Sequence, residues 1–298
     1  MNNLANPLVS IIIITYNSSK FILETLESAK NQTYKNIELI ISDDGSTDDT
    51  IAICENWLYE NKNRFKRSEL ITVKKNTGIP ANCNRGLRAS SGEWFKMIAG
   101  DDSLIANCIE SNIHWVHQHP EVRVLQTVSR YYQDILVEEN YIANSPSDKH
   151  FFHKSAEQQY NHLKVRNDVI APSVFINTVV IKDVGGYDED FKQFEDITIW
   201  LKLTRSGYKI EYAPIETVNY RIHSDSVARK GHTYMEERQC RELLLFIDKY
   251  YDKSDKRSLY YWKKIIKLNL LIVYDKIGLN NKSKISKLIY KVTWKLLS

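Results

Sequence analysis

Two adjacent carboxylates, Asp101 and Asp102, stand directly behind an apolar run and a glycine, in Trp94-Phe95-Lys96-Met97-Ile98-Ala99-Gly100-Asp101-Asp102. Carboxylate oxygens at the end of a buried strand are the donors that Mg²⁺ and Mn²⁺ take, commonly one or two of them together with substrate phosphates. The same residues could instead form a solvated turn in which Asp102 or Ser103 caps the next helix. A second pair, in Asp43-Asp44-Gly45-Ser46, offers acceptors for a base or ribose, or only turn chemistry. Asp196 precedes Ile199, Trp200 and Leu203 at helical spacing. It therefore falls in a first helical turn, where the dipole would keep its carboxylate ionised and able to accept a proton; it could also serve the helix alone. His223, in Arg221-Ile222-His223-Ser224, is either a metal or phosphate contact or a structural imidazole.

These side chains need elements to bring them together. Residues 9–14 are a continuous β-branched run closed by Thr15, Tyr16 and Asn17, the pattern of a strand covered on both faces in a parallel sheet. Ile22, Leu26 and Ala29 recur at helical spacing, and residues 37–42 form a second apolar run ending in Asp43. Ser46 with Asp49 resembles a capping box ahead of the helical stripe Ile51, Cys54 and Leu58. The pattern predicts a third strand over 70–73, a short helix over 81–89 and a fourth strand over 94–98. Strands alternating with helices predict an α/β fold, a doubly wound, mostly parallel sheet with helices on both faces. Ligands of such sheets bind at the carboxyl ends of the strands, where Thr15-Tyr16-Asn17, Asp43-Asp44-Gly45-Ser46 and Gly100-Asp101-Asp102 would gather. Residues 127–170 are polar and irregular and read as an excursion that closes over a substrate. Phe194-Glu195-Asp196 then leads a helix with Gly207 as its expected C-cap.

With 298 residues, 43% hydrophobic and 26% charged, the chain has the balance of a soluble globular protein, and collagen-like, low-complexity and disulfide-scaffold classes are excluded. Cys54, Cys83, Cys108 and Cys240 lie far apart with no C-x-x-C pair and are expected to be reduced and buried. No apolar run approaches the roughly 20 residues of a membrane span. Residues 1–8 lack the basic and apolar regions of a secretory signal, so a cytoplasmic protein is expected. The net charge of +4 hides an asymmetry: residues 253–298 hold 12 Lys and Arg against Asp255 and Asp275, a balance of +10, and the preceding 252 residues carry −6.

The joint order of residues 9–17, Asp43-Asp44-Gly45-Ser46-Thr47-Asp48, Asn76-x-Gly78 through Asn84-Arg85-Gly86, Gly100-Asp101-Asp102, Gly185-Gly186-Tyr187-Asp188 and Glu195-Asp196-x-x-x-Trp200 resembles the family 2 glycosyltransferases of the GT-A fold. The resemblance covers residues 7–228 and gives a catalytic domain over 1–228; the charge and apolar pattern of residues 229–298 reads as a helical basic extension. The resemblance implies a nucleotide-sugar site of Thr15, Tyr16, Asn17, Asp44, Asn76, Asn84, Arg85, Asp101 and Glu195, with Asp44 accepting from the base N–H. It further implies Asp102 as ligand of Mn²⁺ or Mg²⁺, Asp101 as a ribose or metal contact, and Asp196 as general base; His223, from its residue type alone, is the further metal-ligand candidate. Many relatives carry an arginine where this chain has Cys83, a position Arg85 could serve from the next turn. The implied activity is inverting transfer of a sugar from a nucleotide-sugar, UDP-linked by resemblance, to a hydroxyl of a saccharide acceptor that is lipid-linked, in cell-surface polysaccharide or glycan synthesis. The alternatives are a catalytically silent nucleotide-sugar-binding module and a sugar nucleotidyltransferase; residues 15–19 lack the glycine that a triphosphate loop needs.

Beyond residue 228 the resemblance gives no guidance. Ile285, Leu288, Ile289, Val292 and Leu296 form a helical apolar stripe flanked by Lys284, Lys287, Lys291 and Lys295, and Trp262 precedes another lysine-rich apolar stretch. Such helices fit the anionic cytoplasmic face of a membrane, or packing on the catalytic domain or on a second subunit. Oligomeric state stays open, and no nucleic acid is expected.

Overall fold

In the computed structural model, which describes residues 6–146, 148–192, 194–223, 235–281 and 283–297, residues 1–223 and 224–298 form two units. The first runs β1 (Val9–Thr15), α1 (Ile22–Lys30), β2 (Ile37–Asp43), α2 (Thr50–Asn61), β3 (Ser68–Ile71), α3 (Ile79–Ala89), β4 (Trp94–Ala99), β5 (Ser103–Leu104), α4 (Cys108–Gln118), β6 (Val124–Gln133), β7 (Tyr141–Ser145), α5 (Ala156–Leu163), β8 (Val174–Asn177), α6 (Thr178–Asp183), α7 (Glu195–Arg205) and β9 (Ile210–Ile222).

β1 is central because its side chains are apolar on both faces. Ile11 and Ile13 pack with Leu26, Trp57 and Ile109 in one cluster. Ile12 points to α3, and only a glycine permits that approach: a Cβ on Gly86 would lie 2.5 Å from Ile12 Cγ2. Each such buried isoleucine contributes about 1.5–3 kcal/mol.

The strand order is β3-β2-β1-β4-β8-β6-β9-β5, with β7 beside β6. β3, β2, β1 and β4 are parallel. β8 runs antiparallel to both β4 and β6, and β9 is parallel to β6. Two reversals at β8 restore the direction, so β1, β2, β4, β6 and β9 all end on one rim. The order turns back between β1 and β4, the switch point at which α/β sheets bind ligands.

Three sequence expectations need correction. Residues 127–170 are not irregular throughout: β6 continues to Gln133, β7 pairs with it, and α5 begins with a capping box of Ser155 and Gln158. The apolar signal is weak because the buried positions are polar and hydrogen-bonded. Thr127, fully buried, donates to Ser173 O and meets Thr217 Oγ1. Ser46 does not cap α2; its hydroxyl bonds Asp43, and Asp48 instead accepts from the Thr50 N–H and hydroxyl. The third strand lies at Ser68–Ile71, two residues ahead of the expected span. The four cysteines are free and buried, as expected, and Gly207 takes φ +89° just past α7, where its N–H bonds Thr204 O.

The second unit consists of α8 (Glu237–Tyr250), α9 (Leu259–Lys276) and α10 (Lys284–Leu297). α8 and α9 pack together, burying Phe246 and Ile247 of the one and Leu268, Leu271 and Ile272 of the other. A hydrogen bond of 3.0 Å between Tyr274 Oη and Thr293 Oγ1 ties α9 to α10. Among the described residues no helix is long and apolar enough to cross a membrane. The boundary expected at residue 228 and the Leu296 side chain lie outside the described residues.

Candidate active site

The ends of β1 and β2 are locked together by short polar contacts. Asn17, at φ 51°, donates its N–H to Ser46 Oγ and accepts from the Thr47 N–H, both across 2.8 Å. The neighbouring ring of Tyr16 is 46% exposed, an aromatic face open at the rim.

Asp44, the expected acceptor for a base N–H, lies just past the end of β2. It is 2% exposed, and both oxygens are engaged, Oδ2 by the Thr77 and Gly78 N–H groups and Oδ1 by the Thr77 hydroxyl and Arg85 Nη2. Arg85 likewise turns inward: Nη1 donates to Ser42 Oγ, Asp43 O and Asn82 Oδ1, and Nη2 also to Thr77 Oγ1. Asn84 is committed as well, since its amide donates to Tyr187 O and Glu189 Oε1 and accepts from the Tyr187 N–H. Arg85 and Asn84 thus brace the pocket from behind. Asn76 is exposed and accepts from the Gly78 N–H. Thr15 Oγ1 is buried with no hydrogen-bond partner, facing the bare Cα of Gly100, where a Cβ would lie 2.8 Å from it.

At the end of β4 the two aspartates point to different surroundings. Asp102 is 2% exposed and accepts the Arg221 N–H at 2.8 Å. Burial, and then the charge of Asp101, hold its carboxyl well above the usual range, with Arg221 and Lys96 opposing. Lys96 lies fully buried within β4, and desolvation pushes its ammonium down to about 8. The side chain of Asp101 is 31% exposed and meets His223 Nε2 at 3.0 Å. The accessible carboxylate is therefore Asp101 rather than Asp102. Arg221 holds this corner: Nε donates to Asp101 O, Nη1 to Asp134 O and Nη2 to Glu24. Its guanidinium and the His223 ring both pack on Phe21.

Glu195 and Asp196 open α7. Asp196 Oδ1 accepts from the Ile197 N–H, and Oδ2 accepts from the Asn167 amide across 2.8 Å. Burial raises the Asp196 carboxyl despite these donors, so desolvation outweighs the hydrogen bonds at the helix start. Burial, then the Asp196 charge, pushes Glu195 up to about 8, and its Oε2 is buried without a partner. Of the two, Asp196 has a donor on each oxygen, which favours its charged form relative to Glu195. Gly185 and Gly186, at φ +74° and +67°, form the turn behind it; a Cβ on Gly186 would lie 2.6 Å from Asn84 Oδ1.

The Tyr220 phenol is raised by burial and then by the charges of Asp102, Tyr131, Asp101 and Asp196, and its ring lies 4.9 Å from that of Tyr131. Both rings end strands on the common rim, β6 and β9. Burial, and then the charges of Glu195 and Asp44, push the buried Cys83 thiol well above its usual range. Arg221, Asn167, Tyr131, Tyr220 and Lys96 were not singled out from sequence. Only Lys96, a charge inside an expected two-faced strand, and the Arg221-x-His223 spacing offered a signal.

Donor chemistry at Asp101 suits a divalent cation. Asp101 Oδ2 lies 3.0 Å from His223 Nε2, and His223 Nδ1 is buried with no hydrogen-bond partner. Carboxylate oxygen and imidazole nitrogen are ligands that Mn²⁺ takes, and phosphate oxygens complete such open sites. Among the described residues no group of three or more His, Cys, Asp and Glu forms a closed metal cage.

This mixed sheet, with carboxylates from β4 and α7 facing one rim, defines a GT-A glycosyltransferase site. The sequence signature of glycosyl transferase family 2 matches residues 10–180, and the chain belongs to that family. It is 30% identical over 223 residues to the UDP-Glc:alpha-D-GlcNAc-diphosphoundecaprenol beta-1,3-glucosyltransferase WfaP of Escherichia coli, covering 74% of this chain and 80% of that one. The putative glycosyltransferase EpsE of Bacillus subtilis is 25% identical over 254 residues, 83% and 86% of the two chains. Among solved structures, S. aureus TarS 1-349 in complex with UDP-GlcNAc superposes with TM-score 0.60 at 16% identity, over 97% of this chain and 80% of that one. The mannosyltransferase PcManGT from Pyrobaculum calidifontis, in complex with GDP-Man and Mn²⁺, gives 0.57 at 16% identity, with 97% and 80% covered. At that identity the two structures speak for the fold. The chain is a glycosyltransferase, and the sugar nucleotidyltransferase reading falls away.

Proposed function

We propose that this glycosyltransferase inverts the anomeric carbon of a UDP-sugar as it transfers the sugar to a hydroxyl of a lipid-linked saccharide. The observation that carries this reading is the partly exposed Asp101 carboxylate just past β4, beside the β1–β4 switch point of the sheet. The printed activity of the E. coli relative, on a UDP-sugar and a diphosphoundecaprenol-linked acceptor, supports the same substrate classes.

Asp196 takes the proton of the acceptor hydroxyl as its oxygen attacks the anomeric carbon, so a single displacement inverts that centre. A carboxylate whose proton affinity burial has raised accepts that proton more readily than a fully solvated one. Glu195, protonated beside it, can donate a hydrogen bond to a sugar oxygen without adding charge. Tyr16 presents its exposed face to the base. Asp101, steadied by His223 Nε2 at 3.0 Å, would hold Mn²⁺ or Mg²⁺, which when bound would offset the charge of the departing diphosphate.

The test is a melting-temperature panel of UDP-, GDP- and TDP-sugars with and without Mn²⁺, followed by UDP release with a diphosphate-lipid saccharide. A UDP-sugar that raises the melting temperature in a cation-dependent way, and is then consumed, supports the reading. Stabilisation only by GDP- or TDP-sugars, or by no nucleotide, overturns it.

A further inference from the structure

The second unit is apolar on a side that its own packing does not use. In α9, Leu259, Trp262, Ile266 and Val273 are 71%, 53%, 48% and 49% exposed, and Ile277 just past the helix is 62% exposed. Their spacings of three, four, seven and four residues put all five on one stripe at about 100° per residue. The opposite side, with Leu268, Leu271 and Ile272, is the buried one. α10 repeats the arrangement: Ile285, Leu288 and Val292 are 68%, 63% and 50% exposed and again lie on one stripe. Scattered exposed leucines need no explanation, but aligned rows of them mark a surface that is covered in use.

Charge selects what covers it. Residues 253–298 carry 12 basic side chains and 2 acidic ones, and Lys284, Lys287 and Lys291 interleave with the α10 stripe. A second copy of residues 253–298 would bring +10 against +10. A bilayer with anionic headgroups offers apolar depth for the stripes, negative charge for the lysines and an interfacial region suited to Trp262. We propose that α9 and α10 seat the chain on an anionic lipid surface through these two stripes, lying in the interface without crossing it.

The test is co-sedimentation of the full chain, without nucleotide or acceptor, with phosphatidylcholine vesicles containing or lacking phosphatidylglycerol. Partition at least about ten-fold stronger onto the anionic vesicles, weakened by salt, is expected. The triple variant Trp262→Ser, Ile266→Ser, Leu288→Ser, all at exposed positions, should keep its melting temperature and lose that partition. Three results overturn the proposal: no sedimentation, sedimentation that the triple variant retains, or a concentration-dependent dimer in light scattering that the triple variant abolishes. The readout involves no catalysis, so failure here leaves the transfer reaction untouched.

Discussion

Asn167 donates its side-chain amide to Oδ2 of Asp196 across 2.8 Å, although 29 residues separate them. The loop that presents it is itself fixed, because Asp168 bonds His162 at 2.5 Å and Arg166 at 2.6 Å, and Asn167 Oδ1 accepts the Val169 N–H. A donor to the ionised carboxylate lowers its proton affinity. Asn167→Ala is therefore expected to raise the Asp196 pKa and move the acid limb of kcat/KM to higher pH, by about half to one unit. A pH–rate profile checks this; a variant with lower activity but an unmoved limb would leave Asn167 with no electrostatic part.

Asp196→Asn keeps the shape of the side chain and removes its basicity. Turnover should fall by roughly 10²- to 10⁴-fold, while the rise in melting temperature caused by UDP and Mn²⁺ stays within about a degree of that of the native chain. UDP-release kinetics and thermal shift measured on one preparation give both numbers.

Glu195 makes the fold depend on pH. Its carboxyl is raised from 4.5 to about 8 in the folded chain, so the folded state binds the extra proton. Its contribution to stability is full below pH 4.5 and is lost as pH rises toward 8. Glu195→Gln, which cannot ionise, should melt close to the native chain at pH 5 and several degrees above it at pH 8.5. Scanning both proteins across that window measures the difference; parallel curves would reject the assignment.

The ion pair of Arg85 and Asp44, at 3.1 Å with side chains 13% and 3% exposed, acts from inside the wall of the pocket. Removing the cation leaves a buried carboxylate without its partner, which costs about 3–5 kcal/mol. Arg85→Met is expected to lower stability by about 3 kcal/mol in urea unfolding, and Arg85→Met with Asp44→Asn to cost less than the two single changes together.

Legibility in the sequence followed burial chemistry. β1, β2 and β4 were readable because their runs of apolar residues leave one interpretation, and Asp196 was placed correctly in a first helical turn by the stripe Ile199, Trp200 and Leu203. β6 was half lost because Thr127 and Ser129 are fully buried yet polar, and β9 was missed entirely, with Pro214 and Glu216 interrupting its pattern at a register shift. Motif order located Asn84 and Arg85 near the site but could not tell which way their side chains turn. Asn167 was invisible, since a polar residue in a polar segment carries no mark of a partner 29 residues on.

The segment between β6 and β8 has a consequence for how acceptor preference can diverge. β6 and β8 pair through Val124 and Ile176, Leu125 and Phe175, and Gln126 and Val174, so the intervening chain leaves and returns through neighbouring strands, like a cassette with both feet in one socket. Lengthening such an insert carries little entropic penalty, and the half-sheet of β3, β2, β1 and β4 need not register the exchange. Yet Asn167 travels with the cassette. A replacement that arrives without an amide at that reach would change the incoming alcohol and the strength of the base that ionises it in one stroke.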